Sequence, residues 1–191
     1  REAAGDVIAR LRLDERVVFI CDAGTPAVSD PGARLVAAVR AAGHRCIPLP
    51  GASAVPTALS VAGAVSDEAG FRFAGFLPAK VAARRDRLAA VLQDEGAVVL
   101  YESPHRIATL GNELAQAAPK RAVTVARELT KQFEDVQTLA ACELPAWFEA
   151  DAQRRRGEFV LVLHPQPQTR AVEGAIAGEV QRLLTVLLRE V

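Results

Sequence analysis

The chain has 191 residues, half of them hydrophobic, so it can bury a substantial core in one large or two small domains. Lys plus Arg and Asp plus Glu balance at 23 each, so net charge gives no sign of a nucleic-acid partner, and any basic surface must come from local clustering. Cys21, Cys46 and Cys142 are odd in number and far apart, which argues against a disulfide framework or a zinc site and points to the reducing cytoplasm; no apolar run approaches the roughly 20 residues of a membrane span.

In chain order, Glu2 to Leu13 reads as a helix with Val7, Ile8 and Leu11 on one face, and Val17 to Cys21 as a buried strand. The loop "DAGTPAVSDPG" follows. Pro31 then stands where helices start, and Leu35, Val36 and Val39 form an apolar stripe that ends at Gly43. His44 to Leu49 reads as a second strand, and Ser53 as a cap for a helix running to Gly63. This α-β-α-β-α order implies a parallel sheet with its loops at the C-terminal strand ends.

Composition turns polar from Ser66 to Gly70, which predicts a domain boundary. Beyond it, "FRFAGFLPAK" reads as strand then loop, and Val81 to Asp94 as a helix with arginines on its exposed face. Ala97 to Tyr101 predicts a strand, Ile107 to Ala118 a helix, and Ala122 to Ala126 a strand. "FEDVQTLAACEL" gives a strand or loop before a short helix around Trp147, and "GEFVLVLHP" a strand ending at Pro165. The expected organisation is therefore α/β, with an N-terminal unit over 1–66, a C-terminal unit over 67–165, and a linker with the start of a helical segment over 166–191. The chain has no Met and begins at Arg1, which reads as a fragment whose N-terminal domain is truncated.

A loop between a strand and a helix is where open α/β sheets bind ligands. "DAGTPAVSDPG" lacks the GK[ST] ending and the GxGxxG spacing, and Asp22 and Asp30 would repel a pyrophosphate. Carboxylates among small residues, with Thr25 and Ser29 as hydroxyl donors, suit ribose hydroxyls or a cation. A positively charged nucleoside without phosphates, of which S-adenosylmethionine is the common one, meets those terms. A rigid turn in which Asp and Ser cap a helix meets them too. "LPGASAVPTAL" is a second such loop, whose Gly51, Ala52, Ser53 and Ala54 let a flat ring approach the backbone or simply cap a helix.

Together "DAGTPAVSDPG", "PLPGASAVPTAL", "FAGFLPAK", "LYESPHRI", "ARELTKQFE" and "GEFVLVL" resemble, in that order, the ribosomal RNA cytidine 2′-O-ribose methyltransferase branch of the tetrapyrrole-methylase superfamily. The resemblance spans Arg1 to Pro165. It implies two α/β domains with S-adenosylmethionine in the cleft between them, a homodimer, and a cytidine of the decoding region of 16S rRNA in the small ribosomal subunit as substrate. It implies cofactor contacts at Gly24, Thr25, Val28, Ser53, Ala54 and Tyr101. Two departures stand out: the family's opening strand and loop are missing, and Cys21 replaces a Ser.

Methylating a ribose hydroxyl requires its oxygen in line with the sulfonium methyl and a route for its proton. Glu102 and His105 in "YESPHR" and Glu128 in "ARELTK" are candidate bases or orienting groups, with Arg127 and Lys131 as cations for a phosphate or the hydroxyl. The same residues also suit structural roles: ion pairs of Glu102 with Arg106 and of Arg127 with Glu128, and a helix cap at His105. Lys80, Arg84, Arg85 and Arg87 stand at or just after a helix start, in reach of RNA phosphates, though a solvated arginine face reads the same way, as do Arg154 to Arg156. Arg106 and Arg127 complete the candidate RNA contacts. His44 and His164 read as strand-end residues, and no metal is expected. Two alternatives remain open at this point: a methylase of a tetrapyrrole, and an inactive fragment that binds RNA or a partner.

Overall fold

The computed structural model describes residues 2–22, 24–29, 32–64 and 70–166. Its centre is a mixed five-stranded sheet: β1 (Phe71–Phe76), β2 (Ala97–Glu102), β3 (Ala122–Arg127), β4 (Asp135–Ala140) and β5 (Phe159–Leu163), in spatial order β1-β2-β5-β3-β4. Only β1 and β2 pair in parallel. β5 enters between β2 and β3 antiparallel to both, with Tyr101 opposite Val160 and Arg127 opposite Phe159.

The middle strands are continuous apolar runs because helices cover both faces. Alternation with period two sends Val98, Leu100, Val123, Val125, Leu161 and Leu163 to one face. There they meet α4 (Val81–Leu92), α5 (Ile107–Ala117) and α6 (Leu144–Ala150) through Leu88, Val91, Ile107, Leu110, Leu114 and Phe148. Ala97, Val99, Ala126, Val160 and Val162 face the other way, onto Val55, Ala58 and Ala62 of α3 (Ala54–Ala62). The far end of the sheet is gathered by Arg121, which is buried and donates to the carbonyls of His164 (2.8 Å), Leu92 (3.2 Å), Asp94 (3.4 Å) and Gly96 (3.4 Å).

The second half of the chain follows its sequence pattern closely, including the strand at Asp135–Ala140 that the sequence left as strand or loop. The first half does so in its helices, α1 (Glu2–Arg12), α2 (Ala33–Ala41) and α3, but not in its strands. Val17–Cys21 and His44–Leu49, expected as strands of a parallel sheet, join no ladder among the described residues. The physical reason is the lack of a neighbouring strand: Val18, Ile20, Ile47 and Leu49 are 66–80 % exposed, and no described strand lies beside them. Pro31, the boundary around Ser66 and nearly all of 166–191 lie outside the described residues.

Candidate functional site

The sheet ends its parallel strands at one edge, and there the two small-residue loops converge with β1, β2, β3 and the start of β5 around a cavity of about 500 Å³. Thr25 ties the loops together, its Oγ1 donating to the carbonyl of Ala52 at 3.0 Å. Gly24 has φ +70, so its left-handed backbone favours glycine, although a Cβ there would meet the same carbonyl at an ordinary 3.5 Å. Ser53 flanks the start of α3 but makes no side-chain cap; its carbonyl instead accepts from the hydroxyl of Thr57 at 2.8 Å, which corrects the expected capping role.

All six residues assigned to the cofactor, Gly24, Thr25, Val28, Ser53, Ala54 and Tyr101, line this one cavity. Tyr101 is fixed by edge-on contacts with Phe73 and Phe76, at 4.9 and 5.6 Å between ring centroids. The β1 ladder slips between Phe73 and Gly75, where Gly75 has φ +67, and the bulge delivers Phe76 to the mouth of the cavity. The lining offers an open carboxylate at Asp22, hydroxyls at Ser29, Ser53 and Thr57, an aromatic wall and small backbone-exposing residues. That donor set fits a cationic nucleoside: the carboxylate suits ribose hydroxyls, and the loops carry no basic side chain that would cradle phosphates.

The candidate catalytic residues divide. Glu102 lines the cavity, yet its side chain is fully buried and fully engaged: Arg106 donates from Nε to Oε1 at 2.7 Å and from Nη2 to Oε2 at 3.0 Å, and the Ser103 N–H donates to Oε1 at 2.7 Å. Arg106 also donates to the Leu77 carbonyl at 3.0 Å, so the pair ties β2 to the end of β1. His105 is exposed, makes no side-chain cap for α5, and is not among the described residues lining the cavity.

Lys131 lines the opposite wall, while its partner Glu128 is not among the described residues lining the cavity. Lys131 donates to Glu128 Oε1 and Glu158 Oε2, each at 3.0 Å, and the Glu158 N–H donates to Glu128 Oε1 at 2.9 Å. That backbone bond, and then Lys131, hold the Glu128 carboxyl below its ordinary pKa against the opposing effect of burial. The two carboxylates in turn raise the Lys131 ammonium above its ordinary value, Glu158 first. Lys131 is therefore held as an ammonium between two carboxylates. Glu128 pairs with Lys131 and not with Arg127, whose Nη1 donates to the Gln153 carbonyl at 3.2 Å.

Of the candidate RNA contacts, Lys80, Arg85 and Arg87 are exposed at the start of α4, and Arg127 is half-buried. Arg84 needs a correction: it is 7 % exposed and bonded to Glu113 at 2.7 Å, because it shares the inward stripe of α4 with Leu88 and Val91. Arg106 likewise serves Glu102 first. Sequence reasoning did not single out Phe76, Thr57 or Glu158 as lining residues; only Phe76 carried a signal, as an aromatic closing a strand just before Leu77-Pro78. Among the described residues no group of three His, Cys, Asp or Glu side chains forms a metal site, and no helix is long and apolar enough to cross a membrane.

The profile of the Tetrapyrrole (Corrin/Porphyrin) Methylases matches residues 1–144. Ribosomal RNA small subunit methyltransferase I of Pseudomonas aeruginosa is 44 % identical over 191 residues, covering 100 % of this chain and 67 % of that protein. The proteins of the same name from Vibrio cholerae and Escherichia coli O157:H7 are 44 % and 39 % identical, over 91 % and 100 % of this chain and 59 % and 65 % of theirs. The chain thus spans about three fifths to two thirds of the length of these curated relatives. Among solved structures, the methyltransferase CobJ superposes with a TM-score of 0.62 at 20 % identity, over 85 % of this chain and 70 % of that one. Uroporphyrin-III C-methyl transferase from Thermus thermophilus, complexed with S-adenyl homocysteine, superposes at 0.56 and 14 % identity, over 85 % of this chain and 72 % of that one. At these identities the structural likeness concerns the fold.

Proposed function

The chain belongs to the tetrapyrrole (corrin/porphyrin) methylase family, and from that premise we propose that it is the cofactor-binding and substrate-facing part of an S-adenosylmethionine-dependent ribosomal RNA methyltransferase. The acceptor we assign is the ribose 2′-hydroxyl of a cytidine in the decoding region of 16S rRNA, with the small ribosomal subunit as partner and a homodimer as the working assembly. One observation carries the reading: two loops 27 residues apart, both built from small residues, are tied by the Thr25–Ala52 bond into one wall of a single cavity. The tetrapyrrole alternative has the family's name and fold likeness at low identity behind it, whereas the relatives that match across this chain are named for ribosomal RNA.

When bound, S-adenosylmethionine supplies a sulfonium methyl for transfer to an oxygen nucleophile. The Gly24–Val28 and Ser53–Ala54 segments would hold it, with Asp22 open to its ribose hydroxyls and Tyr101 as the aromatic wall. Lys131, held as an ammonium, is suited to donating to an acceptor oxygen or phosphate at the far wall, which lowers the cost of charge on a deprotonating hydroxyl. Glu128 keeps Lys131 in place. Lys80 and Arg85, outside the cavity, suit the RNA backbone and so fix register rather than sequence. We assign 1–66 and 67–165 as the two units that flank the cleft.

The test is a calorimetric titration of the chain with S-adenosylmethionine, repeated on Thr25→Trp and Ser53→Phe, followed by labelled-methyl transfer to small ribosomal subunits and sedimentation for the dimer. Binding weakened more than about tenfold in both folded variants supports the assignment. Wild-type affinity in both removes the loops from the cofactor site.

A further inference from the structure

At the far wall of the cavity one ammonium, Lys131, is bonded to two carboxylates that are not equivalent, Glu158 within the described lining and Glu128 outside it. Glu128 is locked: its side chain is 17 % exposed and Oε1 accepts from the Glu158 N–H. Gly157, at φ +92, leaves room for it where any Cβ would come within 2.5 Å of its Cγ. Its own backbone is at φ +51 and that of Thr130 at φ +67, conformations that side-chain-bearing residues adopt only when the surroundings impose them. Here the imposition is visible, since the Thr130 N–H donates to Glu134 Oε2 at 2.5 Å and closes the turn. Glu158 is the opposite case: its side chain is 75 % exposed, and among the described residues its carboxylate meets only Lys131.

An ammonium has three donors, and Lys131 uses two of them on these carboxylates. The Glu128 carboxylate is largely covered and stapled by the Glu158 N–H, while the Glu158 carboxylate is hydrated and its bond to Lys131 is cheap to break. Both Lys131 and Glu158 line the cavity. As it stands the cluster carries one net negative charge and repels an anion. With Glu158 swung into solvent, the ammonium is open to one.

We propose that Lys131 is an anion subsite for a phosphodiester oxygen of the substrate strand and that Glu158 is its exchangeable guard, displaced from Lys131 when the phosphate enters, while Glu128 positions the ammonium throughout. This rests on the RNA reading above. It makes Glu158 an inhibitor of binding in the empty site: neutral ligands cannot displace it, and a lone small anion lacks the additional backbone contacts that a nucleic acid makes elsewhere on the surface.

The experiment is fluorescence anisotropy of the full chain with a short single-stranded, cytidine-containing RNA and with the same sequence on an uncharged methylphosphonate backbone. The proteins are wild type, Glu158→Gln, Glu158→Ala, Lys131→Gln and the Glu158→Gln/Lys131→Gln double variant, each checked for its thermal midpoint. Removing a hydrated competitor should tighten RNA binding about two- to fivefold in both Glu158 variants. The gain should shrink as salt rises, vanish on the uncharged backbone and vanish in the Lys131→Gln background. Binding unchanged or weakened by both Glu158 variants, with wild type binding RNA, overturns the guard and leaves the RNA reading standing. An equal gain with and without Lys131 also overturns it, since only general charge would then be at work. No RNA binding by any of the proteins overturns the RNA reading and the guard with it.

Discussion

Replacing Arg106 by Met would separate a structural from a chemical role for Glu102. The substitution removes two charge-assisted hydrogen bonds to a carboxylate whose side chain is fully buried, and a third bond to the buried Leu77 carbonyl. Breaking a buried pair from one side costs about 3–5 kcal/mol. The arginine side chain is 24 % exposed, so water reaches the vacated place and the lower end, about 3 kcal/mol, applies. For a chain of this size that corresponds to roughly 6–12 °C in Tm at about 2–4 °C per kcal/mol. Taking both partners away, as Glu102→Met with Arg106→Met, leaves no unpaired charge and orphans only the Ser103 N–H and the Leu77 carbonyl, for a cost of about 1–2 kcal/mol. The assay is urea unfolding of both single variants and the double variant, with calorimetry for Tm. A cost below about 1 kcal/mol for Arg106→Met, or a double variant as unstable as the sum of the singles, would refute the reasoning. A Glu102 variant that keeps its stability and binds cofactor yet transfers no methyl would give that carboxylate a chemical role.

Gly157→Ala should be destabilising by about 1–3 kcal/mol, because the new Cβ meets the Glu128 side chain within 2.6 Å on a backbone at φ +92; thermal unfolding reads the loss, and a neutral result would mean that Glu128 is not clamped as described. His164 should make stability depend on pH. Burial, then the nearby Arg121 charge, depress its pKa below the ordinary 6.5, and Nε2 lies 2.7 Å from Thr124 Oγ1. The unfolded chain therefore binds the proton first, so this contribution is complete above about pH 6.5 and is lost as pH falls through the depressed value. Urea midpoints measured from pH 8 downward should decline accordingly, and His164→Gln should flatten the decline; an unchanged profile in that variant would assign the effect to other groups.

Where periodicity alone decides a residue's surroundings, the sequence was sufficient. Val98 to Leu100 and Leu161 to Leu163 are apolar at every position because both sheet faces are covered, and an uninterrupted run says so. The same signal misleads at Val17 to Cys21 and His44 to Leu49, since an apolar run predicts a strand without saying whether another strand stands beside it. Arg84 could have been placed: it precedes Leu88 by four residues and Val91 by seven, the spacing of the buried stripe. The Lys131 cluster could not. It depends on left-handed backbone at two residues with side chains and on a partner 30 positions away, and neither leaves a mark in local composition.

The strand made last of the five, β5, lies in the middle of the sheet. Before residue 159 is made, the pairs β1 with β2 and β3 with β4 each present an unsatisfied, mostly apolar edge that no other part of the described chain fills. Closure is a single insertion that makes ten cross-strand residue pairings, five on each side, and carries Glu158 to the cavity in the same motion. Assembly of the core and completion of the far wall are thus one kinetic event, with long-range contacts formed late and the exposed edges open to wrong partners until then.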